Sequence, residues 1–239
     1  MSAHGEPAAR SALAAALERE NLVKICGLRE PRHTVAAAEA GADLIGFIFA
    51  PARRQVTPEQ ARASIEAARA VAPGSIVAVG VFVDETPERI AAVVETAGLD
   101  AVQLHGDEPP GFAAQLTVPA VKAFKPKPGD AEDAVAAAIA DHQGPGGAVA
   151  ALVDGYHPGS SGGAGVAADW ALASRLARRA PMLLAGGLDP ENVATAIRQV
   201  RPLGVDVSSG VEIDGTKDAE RIAAFVAAAK GAFAAVEGA

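Results

Sequence analysis

The sequence has little cysteine and no excess of positive charge. Its 239 residues include a single cysteine, which cannot form an intramolecular disulfide, so the fold must be held together by its core. This suits the reducing cytoplasm, where we expect the protein to work. The 21 Lys and Arg are outnumbered by 29 Asp and Glu, and the net charge is −8. We expect no nucleic-acid partner, because phosphate backbones are bound by clustered cations.

Long hydrophobic runs are absent as well. The longest stretches without a charged residue, 70–83 and 155–168, hold 14 residues each, whereas a membrane-spanning helix needs about 18 or more apolar residues. We therefore expect no membrane span. Residues 1–20 lack the leading positive charge and the long apolar run of a secretory signal. We expect a frayed or helical N-terminal extension there, and we assign it no function.

Eight short apolar runs alternate with alanine-rich stretches of helical period from residue 21 onward. The runs span 23–28, 44–49, 76–83, 101–106, 120–125, 148–154, 181–187 and 204–210. Helix starts are marked by a capping residue before proline, at Thr57-Pro58, Thr86-Pro87 and Asp189-Pro190. Buried strands that alternate with helices are typical of parallel α/β sheets.

This alternation predicts that residues 21–239 form one α/β domain, a (βα)8 or TIM barrel in which a helix follows each strand. An open, doubly wound sheet is the alternative. It often has a glycine-rich G-x-G-x-x-G turn after its first strand, and here Cys26-Gly27-Leu28-Arg29 stands at that place. We therefore favour the barrel.

Small residues end the last two predicted strands. Gly186 and Gly187 follow the seventh strand, and Ser208, Ser209 and Gly210 follow the eighth. Barrels often bind phosphate through main-chain N–H groups of these two loops, and glycine allows close approach of an anion. Glycines at one such end would simply indicate a tight turn, but two adjacent ends predict a phosphate site. The expected partner is therefore a small phosphorylated molecule.

Two titratable residues end other strands. Cys26 is a candidate base, although a lone cysteine is also commonly a buried apolar residue. A thiolate needs a positive neighbour, and Lys24 shares the face of Cys26 one layer below. We predict that Lys24 lies within about 6 Å of Asp206, because a buried ammonium must be paired. Asp154 is either a proton donor in a partly apolar barrel mouth or a helix cap.

Several further residues are candidates for binding. Arg54 follows the second strand and could form a fork with a carboxylate, and Arg53 is the competing choice. His105 and Gln103 share a face at the end of the fourth strand, where they either line a pocket or serve the structure. The glycine-rich segment 155–165 is a lid or a plain connection. We find no pattern typical of a metal cluster or of a catalytic triad.

Several short segments follow one another in a fixed order along the chain. They are VKICG at 23–27, GFIF at 46–49, VGVFV at 79–83, LDAVQLHG at 99–106, KAF at 122–124, VD at 153–154, SGGAG at 161–165 with DW at 169–170, LAGGL at 184–188 and VDVSSGVE at 205–212. Together they resemble the phosphoribosylanthranilate isomerase family, (βα)8 enzymes of tryptophan biosynthesis. The resemblance extends from residue 23 to about residue 225.

The resemblance implies an Amadori rearrangement of N-(5′-phosphoribosyl)anthranilate to 1-(2-carboxyphenylamino)-1-deoxyribulose 5-phosphate. It implies that Cys26 is the general base, that Asp154 is the general acid and that Arg54 binds the anthranilate carboxylate. We expect no cofactor, because a cation formed from the substrate itself accepts the electrons. Departures from the family pattern are Ala52 in place of serine, Gln55 in place of an aromatic residue and Ala168 in place of phenylalanine.

Other functions for a phosphate-binding barrel stay open at this point. Indole-glycerol-phosphate synthase would need catalytic Lys and Glu residues at strand ends, and a histidine-pathway isomerase would have an aspartate where Cys26 stands. A non-catalytic barrel that binds a phosphorylated metabolite is the third alternative, and the presence of both Cys26 and Asp154 argues against it. The sequence leaves open whether the protein is a monomer or a homodimer.

Overall fold

The computed structural model describes residues 12–155 and 168–238. Within these residues eight parallel strands form a closed barrel in chain order, with β8 paired to β1, which confirms the predicted (βα)8 architecture. The strands are β1 (Leu22–Cys26), β2 (Leu44–Ile48), β3 (Val77–Phe82), β4 (Ala101–Leu104), β5 (Ala120–Phe124), β6 (Ala150–Val153), β7 (Met182–Leu184) and β8 (Gly204–Val207).

The described helices precede β1 or follow the strands. They are α1 (Ala12–Arg19), α2 (Pro31–Glu39), α3 (Pro58–Val71), α4 (Pro87–Ala97), α5 (Glu132–His142), α6 (Trp170–Ala177), α7 (Val193–Val200) and α8 (Ala219–Glu237). None of the helices described is long and apolar enough to cross a bilayer.

Two predicted helix starts are confirmed and one is displaced. Thr57 and Thr86 are N-caps, and their side chains accept hydrogen bonds from the main-chain N–H groups of Gln60 and Arg89. The third predicted start, at Asp189-Pro190, is wrong, because α7 begins at Val193. Asp189 and Asn192 accept hydrogen bonds from each other's main-chain N–H groups, and this closes a turn before the helix.

The connection after β4 also differs from the predicted pattern. A four-residue 3-10 helix, Phe112–Gln115, stands where an α-helix was expected. Pro109 and Pro110 lack main-chain donors, and Gly111 has a φ of 82°, so the chain cannot wind into an α-helix there. The eight-fold repeat is therefore complete in its strands but not in its α-helices.

Alternate residues of each strand enter two separate cores. Val23 and Ile25 of β1 join the layer between the sheet and the outer helices, whereas Leu22 joins the barrel interior. Leu13 of α1 belongs to that interior core and is fully buried, so α1 closes the amino-terminal end of the barrel. The predicted boundary near residue 20 between extension and barrel stays a prediction, and residues 1–11 lie outside the described range.

The barrel interior is polar toward the carboxyl ends of the strands. Lys24, Gln103 and Asp206 occupy inward positions on β1, β4 and β8, and each is at least nine-tenths buried. The same strands end in polar residues that open toward the carboxyl-terminal face. The alternation along each strand therefore directs functional side chains to one mouth of the barrel.

Candidate active site

One pocket opens at the carboxyl ends of the strands and gathers the predicted site residues. Eight of the nine predicted residues line it, namely Cys26, Arg54, His105, Asp154, Gly186, Gly187, Ser208 and Ser209. The ninth, Gly210, does not line the pocket but packs against the main chain of Leu188, where it joins the loops after β7 and β8. The pocket therefore corresponds to the expected site of a (βα)8 enzyme.

Cys26 lies above a buried ion pair at the seam between β1 and β8. The Lys24 Nζ atom is 3.1 Å from Asp206 Oδ1, which confirms the predicted contact. The neighbouring position on β2 is Gly46, and a β-carbon there would lie 2.9 Å from Cys26 Sγ and 3.2 Å from Lys24 Nζ. The missing side chain of Gly46 thus lets the thiol and the ammonium occupy the same small space.

The environment of Cys26 acts on its pKa in two directions. Burial raises the pKa of the Cys26 thiol, while the charge of Lys24 and its hydrogen bond to the thiol lower it. Burial alone would lower the pKa of Lys24, but Asp206 and Cys26 outweigh that effect and raise it. Lys24 is therefore positively charged at neutral pH, and a positive neighbour of this kind favours the thiolate form of a cysteine.

Asp154 follows β6, three strands from Cys26 around the barrel. Its Oδ1 accepts a hydrogen bond from the Gly155 N–H at 2.8 Å, and its Oδ2 lies 3.6 Å from His105 Nε2. The Gln103 amide lies 2.8 Å from His105 Nδ1, on the other side of the ring. When Gln103 donates to Nδ1, the ring proton is on Nε2 and faces Asp154.

Main-chain geometry at the end of β7 leaves room for this carboxylate. Gly186 and Gly187 have φ values of 89° and 65°, which favour glycine. A β-carbon on Gly186 would collide with the main chain of Gly155 and lie 3.0 Å from Asp154 Oδ1. The two glycines follow a strand that ends at Leu184, earlier than the sequence indicates.

The two serines after β8 differ in their surroundings. The Ser208 hydroxyl donates a hydrogen bond to the Cys26 carbonyl oxygen at 3.2 Å, so its proton is used within the protein. Lys217 Nζ donates to the Ser208 carbonyl oxygen at 2.7 Å. Ser209 begins a short 3-10 helix, Ser209–Val211, which ends the strand early. Ser208 therefore also links the end of β8 to the end of β1.

The structure distinguishes the two candidate arginines. The Arg54 side chain is 10% exposed and lines the pocket, whereas the Arg53 side chain is 53% exposed. Arg54 Nε and Nη2 donate to the two carboxylate oxygens of Glu212 at 2.6 and 3.0 Å. Glu212 belongs to a hairpin of β9 (Glu212–Ile213) and β10 (Thr216–Lys217) after β8. Arg54 is therefore the arginine in position to bind a ligand.

Sequence reasoning assigned no role to Glu212 or Lys217. Glu212 stands within the segment that carries the family resemblance, but nothing local links it to Arg54, which is 158 residues away. The suggested lid at 155–165 falls almost entirely outside the described residues. Among the residues that are described, no cluster of His, Cys, Asp and Glu could hold a metal ion.

Known proteins resemble this chain along most of its length. A family model described as N-(5'phosphoribosyl)anthranilate (PRA) isomerase matches residues 23–228. An N-(5'-phosphoribosyl)anthranilate isomerase from Roseiflexus castenholzii is 50% identical over 215 residues, which cover 88% of this chain and 99% of the relative.

Solved structures are similar in fold and in sequence. A phosphoribosyl anthranilate isomerase from Thermus thermophilus has a TM-score of 0.74 at 35% identity and covers 90% of this chain and 99% of its own. A second isomerase, solved in complex with reduced 1-(o-carboxyphenylamino)-1-deoxyribulose 5-phosphate, has a TM-score of 0.72 at 35% identity, with coverages of 88% and 98%.

Proposed function

Because this chain belongs to the phosphoribosylanthranilate isomerase family, we propose that Cys26 and Asp154 are the base and the acid of its reaction. The enzyme converts N-(5′-phosphoribosyl)anthranilate to 1-(2-carboxyphenylamino)-1-deoxyribulose 5-phosphate in tryptophan biosynthesis. One observation carries the proposal: the pocket is lined by a thiol on one side and by a carboxyl group three strands away.

Ring opening is the first step, and it needs an acid. The Asp154 carboxyl group gives its proton to the ring oxygen of the ribose as the bond between that oxygen and C1′ breaks. The nitrogen lone pair forms a double bond to C1′, which leaves an iminium cation on the substrate and a carboxylate on Asp154. The Gly155 N–H and the nearby His105 Nε2 are placed to stabilise this carboxylate.

Proton removal from C2′ is the second step, and it needs a base. The adjacent iminium makes this proton acidic, and the Cys26 thiolate takes it. The electron pair of the C–H bond moves toward the nitrogen and gives a neutral enolamine, which tautomerises to the ketone. Because the iminium itself accepts the electrons, the proposed route requires no cofactor. Each transfer by a placed group contributes about 10²–10⁴-fold to the rate.

Two anchors hold the ends of the substrate apart. We assign the anthranilate carboxylate to Arg54, which lines the pocket beyond β2. We assign the phosphate to Gly186, Gly187 and Ser209, with Ser208 contributing its main chain because its hydroxyl proton is engaged. Gly210 supports this site from behind, where it packs against the main chain of Leu188. Anchoring both ends fixes the orientation of C1′ and C2′ between the acid and the base.

The proposal also has consequences for the location, the oligomeric state and the partners of the enzyme. A thiol base works only while reduced, which fits the cytoplasm as its location. All the residues named in the mechanism come from one chain, so either a monomer or a homodimer fits. Nucleic acid and membranes have no part in this chemistry.

The acid and base assignments are tested by two substitutions. Cys26→Ala and Asp154→Asn should each lower kcat at least about 10²-fold, because each removes one proton transfer. The decay of substrate fluorescence during turnover gives kcat, and circular dichroism checks the fold of each variant. Near-normal turnover in a folded variant would remove that residue from its role.

A further inference from the structure

Glu212 lies at the centre of a charged cluster next to the pocket. Its carboxylate accepts two hydrogen bonds from Arg54, one from Arg53 Nη2 at 2.7 Å and one from Lys217 Nζ at 3.0 Å. Its side chain is 5% exposed. Burial alone would raise the pKa of Glu212, but these three cations lower it to about 2. Glu212 is therefore a carboxylate throughout the neutral range.

The cluster keeps a net positive charge around a fixed guanidinium. Burial lowers the pKa of Lys217 to about 8, so at pH 7 this ammonium is still mostly charged and the cluster carries close to two positive charges. Glu212 therefore holds Arg54 without neutralising this side of the pocket. The Arg54 side chain also passes directly over the end of β1, where a β-carbon on Gly27 would be 2.6 Å from Cδ. Both the aliphatic part and the guanidinium of Arg54 are therefore constrained.

One edge of the Arg54 guanidinium is occupied and the other is available. Nε and Nη2 bind Glu212, whereas Nη1 donates no hydrogen bond to any residue in the described ranges. A guanidinium can bind two carboxylates, one on each edge. With one edge held by the protein, a carboxylate in the pocket meets the other edge in a fixed orientation.

We propose that Glu212 is a positioning residue that orients Arg54 toward the carboxylate of the substrate and so contributes to substrate specificity. The inference rests on the proposed role of Arg54. Pre-orienting a flexible arginine lowers the conformational entropy that is lost on binding. Glu212 itself does not touch the substrate, and its effect passes through Arg54.

The experiment compares two substrates in the Glu212→Gln variant. One is N-(5′-phosphoribosyl)anthranilate, and the other is N-(5′-phosphoribosyl)aniline, which lacks only the carboxylate. We expect KM for the first to rise about tenfold, because glutamine keeps the size but loses the charge that fixes Arg54. We expect kcat to change little, and kcat/KM for the aniline analogue to change less than about twofold.

A second substitution locates the effect in Arg54. Arg54→Ala should raise KM for the carboxylate substrate about 10²-fold and spare the analogue. Adding Glu212→Gln to Arg54→Ala should then have no further effect, as a double-mutant cycle requires for coupled residues. The matched control is Glu66→Gln, which removes a carboxylate paired with Arg62 on the exposed face of α3 and should change neither substrate.

The outcomes separate this inference from the proposed function. An equal rise in KM for both substrates would show that Glu212 acts on the phosphate side through Lys217 and Ser208, and would overturn the inference. An unchanged KM would overturn it as well. If Arg54→Ala fails to distinguish the substrates, the role of Arg54 is wrong and the inference is overturned with it. Partial unfolding would lower kcat for both substrates and leave KM unchanged, which also contradicts the expected pattern.

Discussion

The ionisation of Cys26 depends on the individual residues that surround it. Burial disfavours the thiolate, and Lys24 has the largest opposing effect. Lys24 in turn is kept charged by Asp206, 3.1 Å away. The strand places Lys24 and Cys26 on one face, and the absence of a side chain at Gly46 brings their ends together. A residue without a side chain thus helps to determine the basicity of the proposed base.

The pH dependence of Cys26 alkylation should report this arrangement. Because burial raises the pKa of Cys26, the rate of its alkylation by iodoacetamide should rise with pH and should still be rising above the neutral range. Lys24→Met removes the charge that lowers this pKa, so the rising limb should move to higher pH. The limb can be assigned to one thiol, because Cys26 is the one cysteine in the sequence.

Lys230→Met is the matched control for this shift. Lys230 pairs with Asp43 away from the pocket, so its loss should leave the limb in place. Identical limbs in wild type and Lys24→Met would contradict the role given to Lys24.

The helix α1 shows how one element can serve stability without serving function. It lies outside the region that matches the family, which begins at residue 23. Its Leu13 nevertheless reaches the barrel interior and is fully buried, together with Leu22 and Leu44. It closes the amino-terminal end of the barrel, whereas the pocket opens at the carboxyl-terminal end. We therefore expect its contribution to be separable from catalysis.

Leu13→Ala should lower the free energy of unfolding by about 2–5 kcal/mol, since it leaves a cavity in a packed core. KM and kcat should be unchanged at temperatures where the variant is folded. Urea denaturation measures the first quantity, and turnover measures the others. Leu17→Ala makes the same deletion at a partly buried position of α1 and should cost less. Equal losses of unfolding free energy in both variants would contradict the role of Leu13 in closing the end of the barrel.

At the scale of the whole molecule, the ionisation of two buried carboxylates, Glu108 and Glu212, is linked to folding. Burial alone would raise the pKa of Glu108, but Lys122 and the main-chain N–H of Asp84 outweigh it, so the pKa lies below its ordinary value of 4.5. The pKa of Glu212 is lowered to about 2. When the folded pKa is the lower one, the unfolded chain binds more protons as the pH falls, so folding loses stability.

The melting temperature should accordingly fall as the pH drops through about 4.5 toward 2. Glu108→Gln should lower the melting temperature at pH 7, because Lys122 loses its buried partner at 2.9 Å. It should also flatten the decline in acid. Glu132→Gln, a control at the exposed pair with Arg175, should leave the slope unchanged. If the melting temperature of Glu108→Gln declined in acid as steeply as that of the wild type, the linkage between Glu108 ionisation and folding would be contradicted.

The sequence by itself determined the repeat of eight strands and the end of the barrel at which the site lies. Apolar runs at regular spacing predict the eight strands, capping residues predict two of three helix starts, and the alternation within β1 predicts the contact of Lys24 with Asp206. These features depend on residues that are close in the chain or on a repeat that the whole chain shares. They also sufficed to name Cys26, Asp154 and Arg54 as candidates.

Only the tertiary structure decided which distant groups meet. The residues alone left Arg53 and Arg54 open, and the family resemblance favoured Arg54. The structure shows that the Arg54 side chain is the one that lines the pocket, and that Glu212 reaches it across 158 residues of sequence. The short 3-10 helix after β4 and the early ends of β7 and β8 depend on local main-chain geometry that apolar patterns do not record. Hydrophobic periodicity specifies which face of a strand is buried, but a pairing between loops depends on how the closed barrel brings its strand ends together.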